Sequence, residues 1–362
     1  MPRCPHRFIA AIALATGLFA PAQAQTGPAA PSLREIYERP VSEWPAPTID
    51  EGVEWREMAP LPHPDKKALS EQARSAIALG ERLFEDPILS GSGQIACQSC
   101  HNSELGWGDG LRTSFGHNRQ RGRRNAPAVI NGSHRESLFW DGRAATLEDQ
   151  ALLPIINPVE MAADLDEVLD RLIAHEEYPA LFADVFEDRA ITGDRLASAL
   201  AAFQRSLERP TRFDRFLEGR RDLLSDRQIR GLHLFRTKAR CMTCHHGPTL
   251  SDGKFHNLGL TYYGRELEDL GRYEVTGKPE DVGAFATPSL RHVAASAPYM
   301  HNGIVRSLRM VAVLYNNGGG KEVPRTPEQK ADPLFPKRSE HIRPLNLTGQ
   351  EISDLVAFLQ AL

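Results

Sequence analysis

The sequence predicts a mainly α-helical protein made of two copies of one domain, and three observations carry that prediction. Cys-x-x-Cys-His occurs twice, as CQSCH at 97–101 and CMTCH at 241–245. Each copy follows a Gly-x-x-Leu-Phe segment and a loop, in GERLFEDPILSGSGQIACQSCH (80–101) and GLHLFRTKARCMTCH (231–245). Downstream, Pro127 to Gly142 is 15 residues, Gly142 to Leu147 five and Leu147 to Pro154 seven, and Pro288, Gly303, Leu308 and Tyr315 repeat those intervals without a gap. Self-similarity at matched intervals marks a duplicated structural unit.

The elements follow in chain order. The first, residues 1–24, carries Arg3 and Arg7, an apolar run from Phe8 to Ala20 and Ala22-Gln23-Ala24 as a cleavage site. This pattern predicts a secretory signal and an exported, periplasmic protein. The run is too short to span a bilayer comfortably, and no later stretch is long enough, so no membrane-spanning segment is expected. Loss of the two arginines takes the formal charge from −4 to −6, which offers nothing to a nucleic acid. Residues 25–66 hold eight prolines with Trp44 and Trp55 and read as an extended N-terminal arm or linker. Two domains are expected after it, 67–215 and 216–362.

Cys4 leaves with the signal, so the four remaining cysteines are those of the two motifs, Cys97, Cys100, Cys241 and Cys244. An exported chain ordinarily uses four cysteines for disulfides. The histidine that follows each pair, His101 and His245, points instead to two covalently bound c-type haems: the thiols add to the vinyl groups and the imidazole binds iron. Structural zinc and a redox dithiol are the alternatives. Neither accounts for a histidine after both pairs together with the absence of any other cysteine. The two domains are therefore expected to be cytochrome c-like.

In the register of the repeat, Trp140 takes the place of His301 and Pro154 that of Tyr315. Thr146 and Ser307 are predicted helix N-caps, with Asp149 completing a capping box in the first copy. After Ser307, Leu308, Val311, Ala312 and Tyr315 fall at i, i+3, i+4 and i+7 and share one face. On spacing alone, a tyrosine in such a stripe is more often core filler than a ligand.

At this point RNAPAVIN, FWDGRAATLEDQ, NPVEM and TPSLRHVAASAPYMHNG, with the second haem motif, resemble the bacterial diheme cytochrome c peroxidases and their MauG-like relatives, from Gly80 to Leu362. The resemblance implies a peroxidatic N-terminal haem and a C-terminal haem that shares electrons. It implies Tyr315 as sixth ligand of the second iron, where the peroxidases use methionine, with Met300 and Met310 as alternatives here. It implies Glu160 as the distal acid that moves the proton of hydrogen peroxide. The repeat itself puts Pro154, which cannot bind iron, where a ligand would be and so leaves the position open, with Gln150 on the same helix face. Trp140 matches the tryptophan between the haems. Asn125, Ser296 and Pro298 match positions that bind a calcium ion.

The chain departs from the two patterns in two ways. His117, sixteen residues after His101, resembles the histidine that caps the peroxidatic iron in resting peroxidases and is missing from the MauG pattern. Ala239 stands where MauG-like enzymes that oxidise a protein carry a surface tryptophan. The expected function is a peroxide-dependent diheme oxidoreductase of MauG-like type, with a diheme cytochrome c peroxidase as alternative and a non-catalytic diheme electron carrier as a third. The redox partner would be a cytochrome c, a cupredoxin or a protein substrate. The arginines around His117 would meet haem propionates, a partner or solvent.

Overall fold

The computed structural model describes residues 1, 2, 30–63 and 65–362. The expected signal sequence and its cleavage site lie outside the described residues. Helix dominates, and strand is confined to one antiparallel pair of two-residue strands, β1 (Phe255–His256) and β2 (Phe285–Ala286). The helices are α1 (Leu33–Tyr37), α2 (Glu71–Glu85), α3 (Leu147–Ile156), α4 (Leu165–Ala174), α5 (Tyr178–Phe186), α6 (Gly193–Ser206), α7 (Arg212–Leu217), α8 (Asp226–Arg236), α9 (Tyr273–Thr276), α10 (Leu308–Asn316), α11 (Pro327–Ala331) and α12 (Gly349–Leu359).

The helix starts follow from side-chain chemistry. Ser70 caps α2 by accepting from the Ala73 amide, and Ser225 with Gln228 forms a capping box at α8. Such caps satisfy amides that have no partner within the helix, each worth roughly 1 kcal/mol. The expected caps at Thr146 and Ser307 are present, and Asp149 completes the box at α3.

Each helix that leads to a Cys-x-x-Cys-His motif crosses a later helix at its shared glycine. A Cβ on Gly80 would sit 2.0 Å from the Ala199 carbonyl oxygen of α6, and one on Gly231 would sit 2.1 Å from the Asp354 carbonyl oxygen of α12. Only glycine lets the two backbones approach so closely. The following Leu-Phe pair is buried in both cases, as Leu83 and Phe84 in α2 and Leu234 and Phe235 in α8.

Two main apolar cores result. One runs from Leu79 to Leu207 and gathers α2 to α6; the other takes in α7, α8, α10 and α12. The N-terminal arm belongs to the second, through buried Tyr37, Trp44 and Met58. It is anchored by polar contacts as well. Arg236 at the end of α8 pairs with Glu57 at 2.5 and 2.9 Å and donates to the Pro45 carbonyl at 2.9 Å. The fully buried Asp214–Arg291 pair, 2.7 Å apart, accepts the Leu61 amide and donates to the Ala59 carbonyl. Removing one partner of such a buried pair costs about 3–5 kcal/mol.

Candidate functional site

The two motifs take up the same local geometry. Each begins with a single 3-10 turn, at Cys97–Ser99 and Cys241–Thr243, which brings both cysteines and the histidine to one cavity wall. His101 Nδ1 lies 3.2 Å from the Trp107 carbonyl oxygen, and His245 Nδ1 lies 2.9 Å from that of Leu250. A carbonyl can only accept, so Nδ1 carries the proton in both rings and Nε2 keeps its lone pair for a metal. Trp107 and Leu250 hold these carbonyls in place from left-handed backbone, at φ of 65° and 51°. Non-glycine residues adopt that conformation seldom, and it clusters at functional sites.

The cysteines are free thiols. Burial pushes the thiols of Cys97, Cys241 and Cys244 up to about 12 and raises that of Cys100. A redox dithiol needs the opposite shift, toward thiolate. Among the described residues, Cys244, Asp252 and His256 form the single cluster with metal-binding spacing, and it leaves out His245. The arrangement therefore fits neither a dithiol nor a zinc site built from the whole motif. Two thiols and an imidazole with a free Nε2, on the wall of a largely apolar cavity, do fit a c-type haem at each motif.

The cavities differ in the rest of their lining. The first has a volume of about 750 Å³ and is bordered by Gln150, Pro154 and Glu160; the second, about 240 Å³, is bordered by Tyr315, Met300 and His301. Helix α3 turns Gln150 and Pro154 toward the first cavity one helical turn apart. Glu160 follows in a tight turn whose side chain accepts from Asn157 Nδ2 at 2.8 Å. Burial holds its carboxyl above the ordinary value of 4.5. The other carboxylates on that wall, Asp141 and Glu274, are paired with arginines, whereas Glu160 has no ion pair among the described residues.

Helix α10 presents Leu308, Val311, Ala312 and Tyr315 to the second cavity. The Tyr315 phenol is driven well above its usual range by burial, with Cys244 and Cys241 adding to the shift. Met310 lies on the outer face of the helix, 49% exposed, while Met300 borders the cavity.

Trp140 borders both cavities, and its indole N–H donates to the Asn125 carbonyl at 2.9 Å. Its counterpart His301 stacks on Phe285 at 3.6 Å, with a buried Nε2 that has no partner and a pKa pushed down to about 4 by burial. Asn125, Ser296 and Pro298 all border the second cavity. His117 does not border the first cavity. Its amide donates to the Glu160 carbonyl at 2.7 Å, and its Nδ1 is buried without a partner. Ala239 is buried, 3% exposed.

The arginines near His117 divide. Arg124 makes a two-pronged pair with Asp269 at 2.7 Å and reaches Asp141 at 2.5 Å; Arg123 pairs with Glu274 at 3.0 Å. Arg121 donates to the Thr113 carbonyl at 2.7 Å and lies over the Phe115 ring. Sequence reasoning did not single out Arg135, which borders both cavities, or the buried Asp214–Arg291 pair. Neither has a spacing pattern by which it could have been found.

Comparison with known proteins agrees with the motif reading. The model of the family described as di-haem cytochrome c peroxidase matches residues 74–222. Cytochrome-c peroxidase IdrP1 of Pseudomonas sp. (strain SCT) is 35% identical over 335 residues, covering 84% of this chain and 85% of the relative. Methylamine utilization protein MauG of Methylorubrum extorquens is 38% identical over 310 residues, covering 83% and 81%. Among solved structures, a MauG-like protein associated with microbial copper homeostasis superposes with a TM-score of 0.71 at 32% identity, covering 87% of this chain and 95% of that one.

Proposed function

Since the chain belongs to the di-haem cytochrome c peroxidase family, whose members are two-haem enzymes, we propose that it is an exported, hydrogen peroxide-dependent oxidoreductase of MauG-like type. The asymmetry of the two cavities carries this reading: a half-buried acid without an ion pair and a proline border one, and a tyrosine borders the other. Cys97 and Cys100 would hold one haem through thioether bonds and Cys241 and Cys244 the other, and the free Nε2 of His101 and of His245 would bind its iron. When bound, the irons supply the centre at which the O–O bond is broken and the store for the oxidising equivalents.

Glu160 takes the peroxide proton and returns it to the departing oxygen, a role suited to a buried carboxyl that holds its proton more tightly than usual. Gln150 offers an amide to the same space, and Pro154 leaves it open because proline has no atom that binds iron. Trp140, bordering both cavities, is the relay between them. Tyr315, on the wall of the second cavity, would bind the second iron through its phenol oxygen. A phenolate oxygen is hard and anionic, so it favours oxidised over reduced iron where a thioether would do the reverse.

The duplicated two-domain reading, with division near residue 215, is supported by the paired glycine crossings and the two cores, the N-terminal arm packing into the second. A calcium ion at Asn125, Ser296 and Pro298 suits their neutral oxygens. Export to the periplasm through a signal cleaved after Ala24 is part of the same proposal. The redox partner is a small cytochrome, a cupredoxin or a protein substrate. Oxidation of a protein through position 239 is disfavoured, because Ala239 is buried and carries no redox-active group.

A second reading, a cytochrome c peroxidase activated by reduction, is favoured by one observation: the partnerless His117 Nδ1 beside the Glu160 backbone. Stopped-flow mixing of diferric protein with peroxide separates the two. The MauG-like reading expects an immediate Soret change, with His117 unbound or weakly bound. Tyr315→His is expected to keep a low-spin second haem but lose the long-lived oxidised spectrum. Wild type that stays silent until reduced, beside an immediately reactive His117→Gly, would make the protein a reductively activated peroxidase.

A further inference from the structure

Among the described residues, Arg135 is the one shared by three cavities: the two described above and a smaller, polar one bordered by His134, Ser137, Thr249 and Ser251. Its guanidinium makes a single hydrogen bond, from Nη2 to the Phe139 carbonyl at 3.3 Å. Five N–H donors are available, so the rest open onto cavity space. Among the described residues it has no ion pair. Glu136, its neighbour, lies against Gly253, and Glu208 is taken by Ser133 and His134.

The other arginines on the two large cavities are accounted for. Arg124 and Arg143 pair with Asp141, Arg123 with Glu274, Arg240 and Arg343 with Asp50, and Arg291 with Asp214. Arg121 is exposed and satisfied by Thr113. Burial alone brings the Arg135 guanidinium down to about 10, so it remains a cation at neutral pH. A half-buried cation without an anion is unfavourable, which makes a lone arginine facing three cavities a site suited to negative charge.

We propose that Arg135 is a shared counter-ion for propionate carboxylates of both haems. The inference rests on the two-haem reading. Each haem brings two carboxylates, and the planar guanidinium can meet one from either side through separate N–H edges. A single fixed charge then sets the electrostatic environment of both irons. Nearby positive charge disfavours the oxidised, more positive state of each.

The test uses holoprotein of wild type, Arg135→Leu and Arg135→Lys. Pyridine haemochrome counts the haems, spectroelectrochemistry gives both midpoint potentials, and resonance Raman reads the propionate bending bands. Arg135→Leu is expected to lower both potentials. Arg135→Lys should stay close to wild type in potential yet shift the propionate bands of both haems, since it keeps the charge and loses the fork. If the leucine variant does not mature, the lysine variant's Raman spectrum decides. Unchanged potentials, or a change at one haem alone, would overturn the shared contact, as would unshifted Raman bands in the lysine variant. A wild-type count other than two would instead refute the two-haem reading, so the two failures are distinguishable.

Discussion

Glu160→Gln isolates proton transfer from packing. Glutamine has the same shape, and its carbonyl oxygen accepts the Asn157 Nδ2 hydrogen bond that Glu160 accepts at 2.8 Å, so the turn before α4 should keep its geometry. No ion pair is broken, because Glu160 has none among the described residues. What disappears is the one unpaired acid on the first cavity wall. General acid–base help of this kind is worth about 10²–10⁴ in rate. At 1.36 kcal/mol per decade, that is roughly 3–5 kcal/mol of barrier. Stopped-flow mixing with peroxide should show a rate lower by that factor, with resting haem spectra unchanged.

Stability gives an independent check on the same side chain. Burial raises the folded-state pKa of Glu160 above 4.5, so the folded protein binds its proton more tightly than the unfolded chain does. That contribution is fully present below the unfolded value and is lost as pH rises through the folded one. Wild type should therefore lose stability relative to Glu160→Gln as pH climbs above about 4.5, read from urea midpoints. An unchanged peroxide rate would show that the proton travels by another group. A pH-independent stability difference would show that folding does not raise the pKa of this carboxyl.

Other outcomes follow from the same geometry. Purified protein should contain two haems by pyridine haemochrome, a denatured mass raised by two haem groups, and no zinc; a mass fitting one or none would refute the motif reading. Gly231→Ala should destabilise the fold by about 1–3 kcal/mol or more in chemical denaturation, because its methyl meets the backbone of α12. Stability within a few tenths of wild type would mean that the crossing can open at little cost. N-terminal sequencing of exported protein should begin at Gln25, and an intact Met1 in the exported fraction would contradict cleavage after Ala24.

What could be read beforehand depended on whether a feature leaves a pattern along the chain. The caps at Thr146 and Ser307 are local, a hydroxyl and an amide three residues apart, and were legible for that reason. The face shared by Leu308, Val311, Ala312 and Tyr315 was legible from helical period, and all four residues border one cavity. Gly80 and Gly231 were visible only as matching letters. Their reason, contact with Ala199 and Asp354 more than a hundred residues later, has no local trace. The arm illustrates the same limit. Its prolines suggested a linker, while Tyr37, Trp44 and Met58 act singly as core anchors with no period between them. Arg135 was silent because one arginine in a loop looks like any other until its surroundings are known.

The arm has a consequence for the order in which the chain becomes native. Tyr37 is hydrogen-bonded to His233, and Arg236 grips Glu57, across separations of 196 and 179 residues. The first core, between Leu79 and Leu207, is complete in a contiguous stretch of chain. The second draws on residues from both extremes, Tyr37 and Leu362 among them. During vectorial synthesis, the first core can therefore condense while the rest is still arriving. The arm must wait, solvated, for partners that emerge last. Long-range closure of this kind is entropically slow. The second haem site should thus be the late and vulnerable one, the place where a truncated arm or a bulky N-terminal fusion would strand the protein half-assembled.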